Sequence, residues 1–144
     1  MFAVAEKIEA ERKIHAVETS EIHKKNFGQY FTPYAIAEFM ASLFPVADGN
    51  LNILDPGAGI GILSCALLNR IKKENWNNSS IKLSAYDIDT EVLGKLTQNL
   101  IEQKKNFTDF DFKIFNADFL EKTSFEYSFG KNEEFTHVIM NPPY

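Results

Sequence analysis

The 144-residue chain carries 20 acidic and 15 basic side chains, and its net charge of −5 excludes a surface that grips nucleic-acid phosphates unaided. Its single cysteine, Cys65, excludes an internal disulfide and fits a reducing, cytoplasmic setting, and no apolar run reaches the length of a membrane span. An apolar fraction of 44%, with thirteen Phe against one Trp, suffices for a Phe-rich core in one domain.

Residues 3 to about 24 contain neither Gly nor Pro. Val4, Ile8, Ile14, Val17 and Ile22 form a loose helical stripe, so residues 1–27 read as an N-terminal helical segment with a break near Thr19-Ser20. Five acids balance five bases over residues 1–31, so this is not a basic arm. Gly28 to Pro33 is a loop leading into a helix, with Thr32 as the expected N-cap and Pro33 at the first helical position. Ile36, Phe39, Met40 and Leu43 recur at helical spacing, and Pro45 lies just past the end. After the turn at Asp48-Gly49-Asn50, Leu51 to Leu54 is a short strand running into a glycine-rich turn and a helix from about Ile60 to Lys73.

Asn75 to Ser80 reads as a polar connection, and Ile81 to Tyr86 as a strand ending at Asp87. Asp89 or Thr90 caps the next helix, to about Lys105. Phe110 to Phe115 is the third strand, residues 121–134 a polar loop dotted with aromatics, and Phe135 to Met140 a fourth strand running into Asn141. Strands alternating with helices predict an α/β fold: a partial doubly wound, Rossmann-like, mostly parallel sheet of about four strands. Such sheets bind ligands beyond the C-terminal ends of their strands, where the motifs of this chain collect.

Gly57, Gly59 and Gly61 stand between a strand and a helix, where glycine admits unusual backbone angles and close ligand approach. The spacing is GxGxG, not the GxGxxG of dinucleotide sites, and by itself it also suits a plain tight turn. Asp87, with Ile88 beside it, ends the next strand, where an acid can accept from two ribose hydroxyls. Asp118-Phe119 ends the third strand, in register with Asp55 and Asp87. An acid beside an aromatic can take an adenine amine on its carboxylate and the base face on its ring, although a surface acid beside a core Phe looks the same.

Asn141-Pro142-Pro143-Tyr144 carries the sharpest chemistry. An amine conjugated to a ring is a poor nucleophile because its lone pair is delocalised. Two acceptors on its protons, the Asn141 side-chain oxygen and the Pro142 carbonyl, would draw the nitrogen toward a pyramidal shape and free that pair. Consecutive prolines fix the carbonyl in place, and Tyr144 offers a face on which a planar base can stack. The pattern is preorganised electrostatics aimed at developing charge. A base inside a duplex reaches such a pocket only when flipped out.

On these residues the chain resembles the adenine-specific amino-methyltransferases of bacterial restriction–modification systems. Gly28 to Pro33 is similar to their N-terminal cofactor segment, Asp55 to Gly61 to their glycine motif and Asp87 to their ribose acid. Asn116 to Phe119 is similar to their adenine site and Asn141 to Tyr144 to their catalytic motif. The resemblance implies S-adenosylmethionine as cofactor and double-stranded DNA as substrate, held through regions this chain lacks. It further implies Thr32 at the methionine carboxylate and Gly57, Ala58 and Gly59 as the floor under the methionine, with Tyr30, Asp55 and Ile88 also among the cofactor-binding residues. By the same carry-over Asp87 lies at the ribose, Asp118 and Phe119 at the adenine, Asn141 and Pro142 at the target amine, and Tyr144 on the flipped base.

Residues 28–144 are thus expected to form a methyltransferase domain truncated after its catalytic motif. The family's sheet has seven strands and this chain supplies four, so the chain reads as a fragment. It is expected to methylate little alone, and its fourth strand to form a sheet edge open to association. Other readings stay open: a release-factor-type glutamine methyltransferase or an RNA adenine methyltransferase, which meet the same nitrogen problem, or an inactive cofactor-binding or interaction fragment. Cys65 comes after Ser64 on a predicted helix and reads as a core residue rather than a nucleophile, and His15, His23 and His137 show no metal-ligand spacing.

Overall fold

The computed structural model describes residues 6, 7, 9, 10, 12–14, 32–128 and 134–142, with residues 125–128 described by their backbone alone. Residues 6, 7, 9, 10 and 12–14 are helical, as expected for the N-terminal segment; the break near Thr19-Ser20 and the boundary near residue 27 lie outside the described residues. The later elements are α1 (Tyr34–Ser42), β1 (Gly49–Pro56), α2 (Ile62–Lys73), β2 (Asn78–Asp87), α3 (Thr90–Lys104), β3 (Phe110–Asn116), α4 (Phe119–Ser128) and β4 (His137–Val138).

The strands form one sheet in the order β3-β2-β1-β4, and each of the three pairings is parallel. Side chains alternate across the sheet. Leu51 and Ile53 of β1, Ile81, Leu83 and Ala85 of β2 and Phe110 of β3 share one buried face with Leu67 and Leu68 of α2 and Leu96 and Leu100 of α3. Cys65 lies in this core, fully buried. On the opposite face Tyr86 stacks on Phe115, with ring centroids 4.5 Å apart, and α4 lies over them, placing Lys122 Nζ 3.5 Å from the Phe115 centroid.

α1 packs on α2. Arg70 of α2 donates to the carbonyls of Ala41 (2.5 Å) and Phe44 (2.6 Å), satisfying acceptors that the end of α1 leaves orphaned. A part-buried polar chain joins α1, α2 and α3: Gln103 Nε2 donates to Asn69 Oδ1 (3.1 Å), and Asn69 Nδ2 donates to the Tyr34 hydroxyl (2.9 Å). Burial pushes the Tyr34 phenol up from its ordinary pKa.

The structure corrects three local expectations. Residues 121–134 are not all loop, because α4 runs to Ser128. Asp118 Oδ1 accepts from the amides of Leu120 (2.7 Å) and Glu121 (3.1 Å), a cap with an acid three residues further on, and residues 119–128 contain neither Gly nor Pro. Thr32 is not the cap of α1: Pro33 occupies that position and makes no side-chain capping bond. The strand limits also move. β1 and β2 extend at both ends, while β4 shrinks to two residues. Its flanks are tied by Thr136 N–H to the Asn52 carbonyl (2.8 Å) and Ile139 N–H to the Leu54 carbonyl (3.0 Å).

Candidate functional site

At the C-terminal ends of β1 and β2 the chain turns sharply, and Gly57, Gly59 and Gly61 all hold positive φ angles (78°, 55° and 86°). The amides of Gly57 and Ala58 donate to the Tyr86 carbonyl at 2.8 and 2.9 Å. Gly59 N–H donates to Asp87 Oδ2 at 2.7 Å. The glycine turn and the acid ending β2 are therefore one hydrogen-bonded unit. A Cβ on Gly57 would meet open space, so the turn keeps a clear approach there. A Cβ on Gly61 would stand 2.7 Å from Leu96 Cδ1 in a left-handed backbone conformation. Gly61→Ala is expected to cost about 2 kcal/mol, from backbone strain plus overpacking, and to lower the melting temperature by roughly 5–10 °C. Thermal unfolding of the purified variant checks this.

Asp89 caps α3, accepting from Glu91 N–H at 2.9 Å. That leaves Asp87 out of the helix cap but not out of the chain's own bonding. Its Oδ1 accepts from Asp89 N–H at 2.9 Å and its Oδ2 from Gly59. Each carboxylate oxygen has a further lone pair, so acceptor capacity remains. Burial raises the Asp87 pKa, against the pull of the two amides. Ile88 beside it is half exposed, and the Asp87 and Ile88 carbonyls are both held by Asn116 Nδ2 (3.0 and 3.1 Å).

Asp55 is completely buried. Its Oδ2 accepts from Ser64 Oγ at 2.5 Å, while Oδ1 has no partner among the described residues. Burial moves its pKa from 3.8 to about 7, opposed by the Ser64 hydrogen bonds. Ser64 is a site residue that sequence reasoning missed. Its signal was a hydroxyl in the first turn of the helix after the glycine turn.

Thr32 and Asn141 lie 109 residues apart in sequence and meet directly: Asn141 Nδ2 donates to Thr32 Oγ1 at 3.1 Å. Thr32 is buried, Asn141 half-buried and Pro142 exposed. The expectations for Tyr30 and Tyr144 fall outside the described residues. Asp118 is exposed and spends Oδ1 on capping α4, and the half-buried Phe119 sets its ring against Tyr86 in a T-shaped contact (5.1 Å). Tyr86 was the other residue missed: its carbonyl holds the glycine turn and its ring supports Phe119.

His137 is buried against Phe44 and Trp76, and burial lowers its pKa. A hollow of about 290 Å³ between Trp76, Asn78, Phe107 and Asp109 lies at the opposite, N-terminal ends of the strands and contains none of the candidate residues. Among the described residues no helix is long and apolar enough to cross a membrane.

Comparison with known proteins bears on family and fold. The chain is 35% identical to the type II methyltransferase M.BsuBI of Bacillus subtilis over 129 residues, covering 85% of this chain and 25% of that protein. It is 31% identical to the type II methyltransferase M.PstI of Providencia stuartii, covering 86% and 25%, and 30% identical to M.AccI of Acinetobacter calcoaceticus, covering 85% and 19%. The chain thus spans about a quarter or less of the length of these curated relatives. In fold it is similar to a crystal structure assigned as a class I S-adenosylmethionine-dependent methyltransferase of Listeria monocytogenes, with a TM-score of 0.67 and 15% identity, covering 97% of this chain and 38% of that one. The family model for N-6 DNA methylase matches residues 17–144, and the chain belongs to that family.

Proposed function

We propose that this chain is the cofactor-binding and amine-binding part of an adenine-specific DNA methyltransferase of a restriction–modification system. In this reading it acts on the 6-amino group of an adenine flipped out of double-stranded DNA. The observation that carries the reading is the bond from Asn141 Nδ2 to Thr32. It commits the donor end of the amide to the protein and leaves Oδ1 as the end available to accept from a substrate amine.

S-adenosylmethionine, the cofactor implied, supplies a methyl group made electrophilic by its sulfonium. The residues present fit it. Asp55 Oδ1 is a buried acceptor with no partner among the described residues, the kind of atom a ligand or a bound water completes. Gly57 leaves open space beside it in the chain, and Asp87 keeps lone pairs for ribose hydroxyls. Thr32 would meet the methionine carboxylate, and Asp118 Oδ2, not used in capping, the adenine amine beside Phe119.

Asn141 Oδ1 and the Pro142 carbonyl accept hydrogen bonds from the two N–H groups of the target amine and concentrate its lone pair on nitrogen. Proline at 142 fixes the local backbone, so little reorganisation is needed as positive charge develops there. Tyr144 would stack on the flipped base. We place the protein in the cytoplasm, with its DNA. The net charge of −5 leaves duplex binding to other parts of the parent protein, and the outer edge of β4 is available for further pairing.

Titration calorimetry of this chain with S-adenosylmethionine is expected to show one-site binding. Absence of heat at millimolar cofactor would sink the reading. Labelled cofactor offered to the parent enzyme with duplex DNA, RNA and release factor in parallel should mark only the DNA.

A further inference from the structure

The described N-terminal helical residues contact the domain at Lys7 and Glu9. Lys7 pairs with Glu102 of α3. Glu9 Oε2 accepts the backbone N–H of Tyr34, the first residue of α1, at 3.1 Å. The same carboxylate is clamped by Arg12, through Nε at 2.9 Å and Nη2 at 2.7 Å. Glu9 therefore does for α1 what an N-cap side chain would do, from 25 residues away. α1 needs it: its N-cap residue, Pro33, makes no side-chain capping bond, and the helix has no acid in its first turn. Tyr34 comes two residues after Thr32, and Thr32 holds the donor end of Asn141. Residues 6–14 precede the span that the family model matches, 17–144.

We propose that Glu9 is a positioning residue of the methyltransferase site, acting from outside the family's matched span by fixing the start of α1 and, through it, the Thr32–Asn141 contact. A carboxylate suits the place because it complements the positive end of the helix while accepting its first amide. The Arg12 clamp holds the Glu9 side chain in one geometry, as a bidentate guanidinium does. Lys7 anchors the same segment elsewhere, so the two contacts can be separated by mutation. The effect on cofactor affinity rests on the function proposed above; the effect on Asn141 does not.

The test uses the whole chain, as wild type, Glu9→Ala, Glu9→Gln and Lys7→Ala. The side-chain amide resonances of Asn141 are tracked by NMR without any ligand, and S-adenosylmethionine affinity by calorimetry. Glu9→Ala is expected to move the Asn141 resonances and to weaken cofactor binding about five- to tenfold, the effect of losing one helix cap. Glu9→Gln, which keeps an acceptor, should recover part of both effects. Lys7→Ala should leave both readouts at wild-type values. Unmoved Asn141 resonances in Glu9→Ala overturn the proposal whether or not the chain binds cofactor. Equal effects in Lys7→Ala and Glu9→Ala overturn it too, since docking of the segment would then suffice. If the wild type binds no cofactor, the functional reading fails, and the NMR comparison still decides the role of Glu9.

Discussion

Asn141→Ala in the parent enzyme is expected to lower turnover by about 10²–10³-fold while leaving S-adenosylmethionine affinity within about twofold, the signature of a lost acceptor used only as charge develops. The direction comes from the orientation of the amide. With Nδ2 given to Thr32, the substrate meets an oxygen; an amide turned the other way would present a donor to a donor. Thr32→Val removes the hydroxyl that accepts from this amide at nearly constant volume. It should lower turnover roughly tenfold, and Thr32→Ser should restore most of it, one ordinary hydrogen bond being at stake. Steady-state kinetics with saturating DNA separates the cases. A loss in Asn141→Ala confined to cofactor KM would move Asn141 from the target amine to the cofactor.

The second large effect concerns stability. Asp55 is buried with its pKa raised from 3.8 to about 7, so the folded chain holds a proton that the unfolded chain has released. Its protonated form contributes stability that is fully present below about pH 4 and is lost as pH rises through about 7. At 1.36 kcal/mol for each pH unit, that contribution is on the order of 4 kcal/mol. Asp87, raised in the same direction by burial, adds to the trend. Asp55→Asn removes the titration of residue 55 but puts an amide where Oδ1 has no partner, at a cost of about 1–3 kcal/mol. The variant should therefore melt below wild type at pH 4 and above it at pH 8, with weaker cofactor binding at both. Melting curves across that range check the crossing; parallel curves would show that Asp55 is ionised in the fold throughout.

The sequence made the order of strands and helices legible because the apolar runs are short, well separated and punctuated by Gly, Asp and Pro. It also brought Asp55, the glycine turn, Asp87 and Asn141 to one end of the sheet, since each lies at or just past the end of a strand. What it hid was partnership. Asp118 looked like a ligand-binding acid, and the local sign that it would also start α4 was Glu121 at capping-box distance. Thr32 looked like a cap because threonine before proline often is one. The actual acceptor, Glu9, comes from another segment, and Thr32 is given instead to Asn141. Ser64 and Tyr86 escaped because their roles, a hydroxyl on a buried acid and a backbone carbonyl under a turn, leave almost no mark on residue type.

α1 has neither an acid in its first turn nor a base in its last. Glu9 stands at its amide end and Arg70 at its carbonyl end, so both of its terminal charges come from elsewhere in the chain. A nine-residue helix without end charges of its own is too short to persist alone in water. Its formation must wait for α2 and the N-terminal segment to be in place. α1 is therefore expected to be among the last parts of this domain to fold and the first to open. Hydrogen exchange should find its amides released ahead of those in α2, and the loop carrying Thr32 should loosen with them.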